Sequence, residues 1–185
     1  PGVFLFPMNR TFRQPQGIYP ILDARTLEDP LFPQGWPAEA MHRLAAEIAE
    51  INPPMLQLRC KGPAREAYRF MISWMTVLRQ YCTDTAIIIN DRVDLALFLE
   101  ADGVHVGQED LPVHLCRRLL GENRIVGLST HNNDEINLAA QTSADYLGFG
   151  PIFSTHTKLD THAVQGEKTL ASACRTSPLP IVAIG

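Results

Sequence analysis

The chain has 185 residues, a length that fits one domain, and 45% of them are apolar, enough for a sizeable core. Its formal net charge of −4 argues against nucleic acid, which calls for a basic face, and leaves room for anionic small molecules, because charge at a site is local. No apolar run approaches the ~18 residues that cross a bilayer, and Val3 to Phe6 is too short for a signal segment and is cut off by Pro7, so no membrane partner is expected.

Residues 1–16 read as an extension, and the domain is expected over 17–185. Gly17 to Leu22 predicts the first strand. Pro37 marks a helix start, and Ala38 to Ile51 has helical composition. Met55 to Lys61 predicts the second strand. Ala64 to Tyr81 predicts a long helix with Tyr68, Met71, Ile72, Met75 and Leu78 at helical spacing. Ala86 to Asn90 predicts the third strand, and its unbroken Ile87-Ile88-Ile89 fits a strand covered on both faces. Short helices are predicted over Val93 to Glu100, Val113 to Leu120, Asp134 to Thr142 and Lys168 to Arg175. Strands alternate with them at Gly103 to Val106, Ile125 to Ser129, Tyr146 to Gly150 and Pro180 to Ile184. The repeat of roughly 20–35 residues is that of a βα unit. Seven such strands in regular succession predict a TIM-type (β/α)8 barrel, an α/β fold. The chain stops at Gly185, so the last βα unit is expected to be missing from it.

In such a barrel the chemistry sits at the carboxyl ends of the strands. The second strand carries Gln57, Arg59 and Lys61 at period two, so all three share one face. Polar groups on an inner face are costly unless they line a site, and two cations with an amide suit an anion; a solvated edge strand is the alternative. The third strand ends in Asn90-Asp91, and Gly107-Gln108-Glu109-Asp110 follows the fourth. Two carboxylates at neighbouring strand ends suit Mg²⁺, which takes one or two carboxylates plus waters and phosphate oxygens. Either aspartate could instead cap the next helix. Ser129 ends the fifth strand as a phosphoryl donor or a helix cap, and His131 behind it reads as a loop histidine. After the sixth strand, Gly148-Phe149-Gly150 lacks the third glycine of a dinucleotide fingerprint. Thr155, Thr157 and Lys158 then form a loop suited to phosphate, or an ordinary polar loop. Gly185 ends the seventh strand, where barrel backbones often hold phosphate. Four cysteines (Cys60, Cys82, Cys116 and Cys174) show neither C-x-x-C nor zinc spacing and fit reduced thiols in a cytoplasmic protein.

Taken in order, these segments resemble one family. Gln57-Leu58-Arg59-Cys60-Lys61 is similar to its Q-x-R-x-K strand, and Asn90 to Asp94 to its N-D segment. Asp102-Gly-Val-His-Val-Gly-Gln-Glu-Asp110 is close to D-G-V-H-L-G-Q-E-D. Gly127 to His131 matches G-x-S-x-H. Asp145 to Phe153 with Thr155 to Lys158 resembles D-Y-x-x-x-G-P-I-F and T-x-T-K, and Val182 to Gly185 resembles the start of V-A-I-G-G-I. The family is thiamine-phosphate synthase. The resemblance implies that a pyrimidine-methyl pyrophosphate loses pyrophosphate and that the nitrogen of a thiazole phosphate captures the pyrimidine cation. It implies Mg²⁺ on Asp91 and Asp110, and cationic help from Arg59, Lys61 and Lys158. Asn90 and Ser129 would donate to the pyrophosphate. Gln57 would orient the pyrimidine together with His105, and Thr155, Thr157 and Gly185 would hold the thiazole phosphate. Cys60 stands where an acidic residue is common, facing the helices. The partners implied are these two small molecules, with homo-oligomerisation left open. An isomerase of the same fold acting on thiazole phosphate, or a non-catalytic phosphate-binding barrel, are the alternatives.

Overall fold

A computed structural model describes residues 17–25, 36–154 and 163–185. The expected extension (1–16) and the loop residues Thr155, Thr157 and Lys158 lie outside the described residues. Among the described residues, seven parallel strands form one sheet in sequential order: β1 (Ile21–Asp23), β2 (Met55–Arg59), β3 (Ala86–Asn90), β4 (Gly103–Val106), β5 (Ile125–Thr130), β6 (Tyr146–Phe149) and β7 (Ile181–Ala183). Between them run α1 (Ala38–Ile51), α2 (Ala64–Tyr81), α3 (Val93–Phe98), α4 (Val113–Leu120), α5 (Asn133–Ala139) and α6 (Gly166–Thr176). The parallel α/β architecture read from the sequence is therefore present as seven consecutive strands.

Some boundaries differ from expectation for local reasons. β1 begins at Ile21 and not at Gly17, because Pro20 has no N–H and lends the ladder only its carbonyl, to Gln57 N at 2.9 Å. β2 ends at Arg59, so Lys61 reaches the rim from the following loop and not from the strand. β2 lies between β1 and β3 and is buried along its length, which removes the solvated-edge reading. α5 starts one residue early, because Asn132 caps it by accepting from Glu135 N at 2.8 Å. On α2 the buried stripe is Ala67, Met71, Trp74, Met75 and Leu78. Tyr68 is turned outward instead, its ring 5.8 Å from that of Phe98.

Two apolar clusters sandwich the sheet. The larger packs Leu56, Leu58, Ile87, Ile89, Val104, Val126 and Leu147 against the helices. The smaller, with Met55, Ile88, Ile125 and Tyr146, fills the concave side, and Tyr19 packs against it. Tyr19 precedes β1, yet its hydroxyl lies 2.8 Å from that of Tyr146 on β6. A flat sheet would separate β1 from β6 by about 24 Å, five spacings of some 4.8 Å, so this sheet curls strongly on itself.

A repeated clamp ties the amino ends of the strands together. Arg79 on α2 donates to Asp102 (2.8 Å) and to the Glu100 carbonyl (3.3 Å), and Asp102 accepts from Ile87 N on β3 (2.7 Å). Arg117 on α4 repeats this with Asp145 (2.7 Å) and the Ser143 carbonyl (2.7 Å), and Asp145 accepts from Val126 N on β5 (2.7 Å). Each aspartate stands just before the next strand, β4 or β6. The opposite pole is left for chemistry.

Candidate active site at the carboxyl ends of the strands

Asp91 follows β3 with φ 60, a left-handed conformation that non-glycine residues seldom adopt, although aspartate is among the more tolerant. Its N–H donates to the His105 carbonyl (2.8 Å), which pins the turn to β4. Its carboxylate is 2.8 Å from Lys61 Nζ, and Asp110 lies near enough to push the Asp91 carboxyl upward. Asp110 folds back over its own turn, accepting from Gly107 N at 2.7 Å. Neither aspartate caps a helix: the N-cap positions of α3 and α4 are Arg92 and Pro112, with no side-chain cap bond. Burial pushes the Asp91 carboxyl above the usual carboxylate range; Lys61 pulls it back and Asp110 pushes it further up. Two carboxylates forced together in a partly dry place are a poor arrangement by themselves. They are a good one for a hard divalent cation, which needs oxygen donors of this type.

Arg59, read from the sequence as a cation awaiting an anion, has a partner that the sequence did not suggest. Its guanidinium is ion-paired with Asp23 on β1, and both side chains are buried. Asp23 is the register partner of Arg59, so the pair is set by strand alignment. Arg59 and Lys61 are thus each already matched by a carboxylate, and Asp110 adds a further negative charge.

Below this rim a chain of polar groups crosses the concave side. Gln57 Nε2 donates to the Tyr19 hydroxyl (3.1 Å), which meets the Tyr146 hydroxyl (2.8 Å). Tyr146 meets His105 Nδ1 (2.9 Å), and His105 Nε2 meets Ser129 Oγ (2.9 Å). Ser129 is therefore not a helix cap; Gln108 Nε2 holds its carbonyl at 2.6 Å. The register explains the crossing. His105, Gly127 and Tyr146 are aligned on β4, β5 and β6, and the missing side chain of Gly127 lets the two rings meet over it. A Cβ at Gly127 would fall 2.2 Å from Tyr146 Cζ and 2.5 Å from His105 Nδ1. Gly127→Ala is accordingly expected to cost about 1–3 kcal/mol in a urea melt, the usual toll of overpacking. Stability within about 0.5 kcal/mol of the parent would mean that the rings simply move aside.

Asn90 is buried at the end of β3, level with His105. A Cβ on Gly185 would come within 3.0 Å of Phe153 N, so Gly185 lies against the loop that follows β6. His131 is tied at Nδ1 to Glu135 (2.9 Å), within the same motif that caps α5. Cys60 packs against the helix-side cluster, as expected, and all four cysteines are free thiols. Three participants escaped the sequence reading: Asp23, Tyr19 and Tyr146. The only sequence signal for them was their position near a strand end.

The fold and this rim define a parallel α/β protein whose seven described strands curl into a half-barrel, with acidic and basic groups gathered at the strand carboxyl ends. The family model for thiamine monophosphate synthase matches residues 31–185, and the chain belongs to that family. It is 40% identical over 140 residues to the thiamine-phosphate synthase of Dictyoglomus turgidum, covering 75% of this chain and 62% of that protein. It is 48% identical over 134 residues to the one from Synechococcus sp. (strain CC9605), covering 71% and 37%. The structure of a thiamine phosphate pyrophosphorylase from Pyrococcus furiosus superimposes with TM-score 0.68 at 31% identity, covering 89% of this chain and 73% of that one. The chain thus spans less than two thirds of the length of these two curated relatives.

Proposed function

We propose that this chain carries the catalytic rim of a thiamine-phosphate synthase, which joins a pyrimidine-methyl diphosphate to thiazole phosphate and releases pyrophosphate. The observation that carries this reading is the pairing of Asp91 with Lys61 at 2.8 Å, with Asp110 near enough to raise the Asp91 carboxyl. Asp91 and Asp110 would hold Mg²⁺. When bound, the ion supplies positive charge where the leaving diphosphate becomes more negative.

The chain's own residues do the rest. Ser129 and Asn90 donate to diphosphate oxygens. Lys61 and Lys158 supply positive charge, and Arg59, braced by Asp23, supplies a fixed one. Gln57 has its amide nitrogen committed to Tyr19, which leaves its carbonyl oxygen to accept from the amino group of the pyrimidine. His105 borders the same space. Thr155, Thr157 and Gly185 would hold the thiazole phosphate. The C–O bond breaks with its electron pair leaving on the diphosphate, and the neutral ring nitrogen of the thiazole supplies the pair for the new C–N bond. No general base is needed for that step.

The same proposal includes an eighth βα unit closing the barrel between β7 and β1, small molecules as the only substrates, and a cytoplasmic location. Among the described residues no helix is long and apolar enough to cross a membrane. The test is direct. Incubation with both substrates and Mg²⁺ is expected to yield thiamine phosphate and pyrophosphate in equal amounts. Isomerisation of thiazole phosphate alone, without pyrophosphate release, would point to the isomerase instead.

A further inference from the structure

The polar chain beneath the rim has a direction. We infer that Tyr19 and Tyr146 are positioning residues that fix His105 as the Nε2–H tautomer and so turn the Ser129 hydroxyl toward the rim as a donor. The identity of the anion that receives it rests on the function proposed above; the tautomer itself does not.

The order of protons follows from what each group can do. An amide nitrogen only donates, so Tyr19 accepts from Gln57 Nε2 at 3.1 Å. Either hydroxyl could donate across the 2.8 Å between Tyr19 and Tyr146; with Tyr19 already accepting from Gln57, the inferred order sends its single proton to Tyr146. Tyr146 in turn gives its proton to His105 Nδ1 at 2.9 Å. Burial raises both phenols above their ordinary range, so each keeps the one proton that this order requires. A neutral imidazole has one donor and one acceptor. With Nδ1 accepting, Nε2 carries the proton and donates to Ser129 Oγ at 2.9 Å. The Ser129 proton cannot then point at the ring, and it is directed to whatever occupies the rim. The reverse order would make Ser129 donate to Nε2 and show only lone pairs to an anion, which repels it. Gly127 and Gly148 keep this geometry tight. A Cβ at Gly127 would meet His105 Nδ1 at 2.5 Å, and one at Gly148 would meet Nε2 at 3.3 Å, so the ring has little room to turn over.

The decisive measurement is ¹⁵N NMR of histidine-labelled, ligand-free protein, with His105 assigned by its loss in His105→Asn. The expected result is a pyrrole-like Nε2 and a pyridine-like Nδ1. Tyr146→Phe removes the donor and should move both shifts toward the averaged values of mixed tautomers. Gln57→Glu replaces the donor at the head of the chain by an acceptor and should favour the Nδ1–H form. A parent protein with Nδ1 protonated, or a Tyr146→Phe spectrum unchanged at both nitrogens, overturns the inference. The parent spectrum needs no substitution, so it decides the matter even if a variant fails to fold. In turnover, Ser129→Ala should lower kcat about 100-fold, the scale for one donor to developing charge. Tyr146→Phe should lower it about tenfold, and adding it to Ser129→Ala should cost nothing more, because both act through one hydroxyl. Full additivity also overturns the inference. Absence of synthase activity in the parent would sink the proposed function and leave the NMR result to judge this one.

Discussion

Asp91→Gly is expected to lower thiamine phosphate formation by at least about 1,000-fold while the protein melts at the same temperature or higher. The two effects have separate causes. At φ 60 an L side chain pays roughly 1 kcal/mol that glycine does not. The carboxylate is also partly buried against a second carboxylate, a repulsion that the substitution removes. What is lost is its pair with Lys61, whose side chain is 43% exposed, and pairs that open to water are worth less than about 1 kcal/mol. These terms cancel or favour the variant. The catalytic term has no such offset, because Asp110 alone would be left to hold the metal. Asp91→Asn serves as the control that preserves size and tolerance of the backbone conformation, and it should be nearly as inactive. Full turnover at ordinary Mg²⁺ would remove Asp91 from the site. A melting temperature lower by more than about 5 °C would show that the residue is structural after all.

The legible and illegible parts of this site differ in what fixes them. Lys61, Asp91, Asp110 and Ser129 could be read because each ends an expected strand or follows one within four residues, and in a parallel sheet that position alone puts a residue at the carboxyl pole. The partners of Asp23 and Tyr19 could not. Asp23 ends a three-residue strand and Tyr19 stands two residues before it, across Pro20, and both meet residues from elsewhere in the chain. Asp23 meets Arg59 through the β1–β2 register, and Tyr19 meets Tyr146 only because the sheet curls. Tyr146 itself hides in Tyr-Leu-Gly-Phe, a run that reads as buried strand and nothing more. Gly127 appeared only as a letter in a motif, until the register put it between His105 and Tyr146. The helical stripe of α2 was placed a little off for a related reason. Tyr68 and Trp74 each stand three residues from Met71, on either side of it, and only the packing of the sheet decides that Trp74 is buried and Tyr68 is not.

Arg117→Met is expected to be the most destabilising single change at the pole away from the chemistry, by about 3–5 kcal/mol. The guanidinium is buried, with its side chain 8% exposed, and it donates to the carbonyls of Gly121, Glu122, Arg124 and Ser143 as well as to Asp145. Methionine matches its length and apolar stem but none of its donors. The carbonyls would be left short of partners, and Asp145 would keep only Val126 N to offset its charge. At this chain length about 2–4 °C of melting temperature accompany each kcal/mol, so a fall of roughly 10–15 °C is expected. The equivalent clamp gives an internal comparison. Arg79 is 21% exposed and donates to one carboxylate and one carbonyl, so Arg79→Met should cost only about 1–2 kcal/mol, water replacing part of what is lost. Neither change touches the rim, so turnover of the folded fraction should stay within about twofold of the parent. Equal losses for the two arginines would mean that burial does not set the strength of these clamps. A collapse of kcat in folded Arg117→Met protein would mean that the two poles of the sheet are coupled more tightly than their separation suggests.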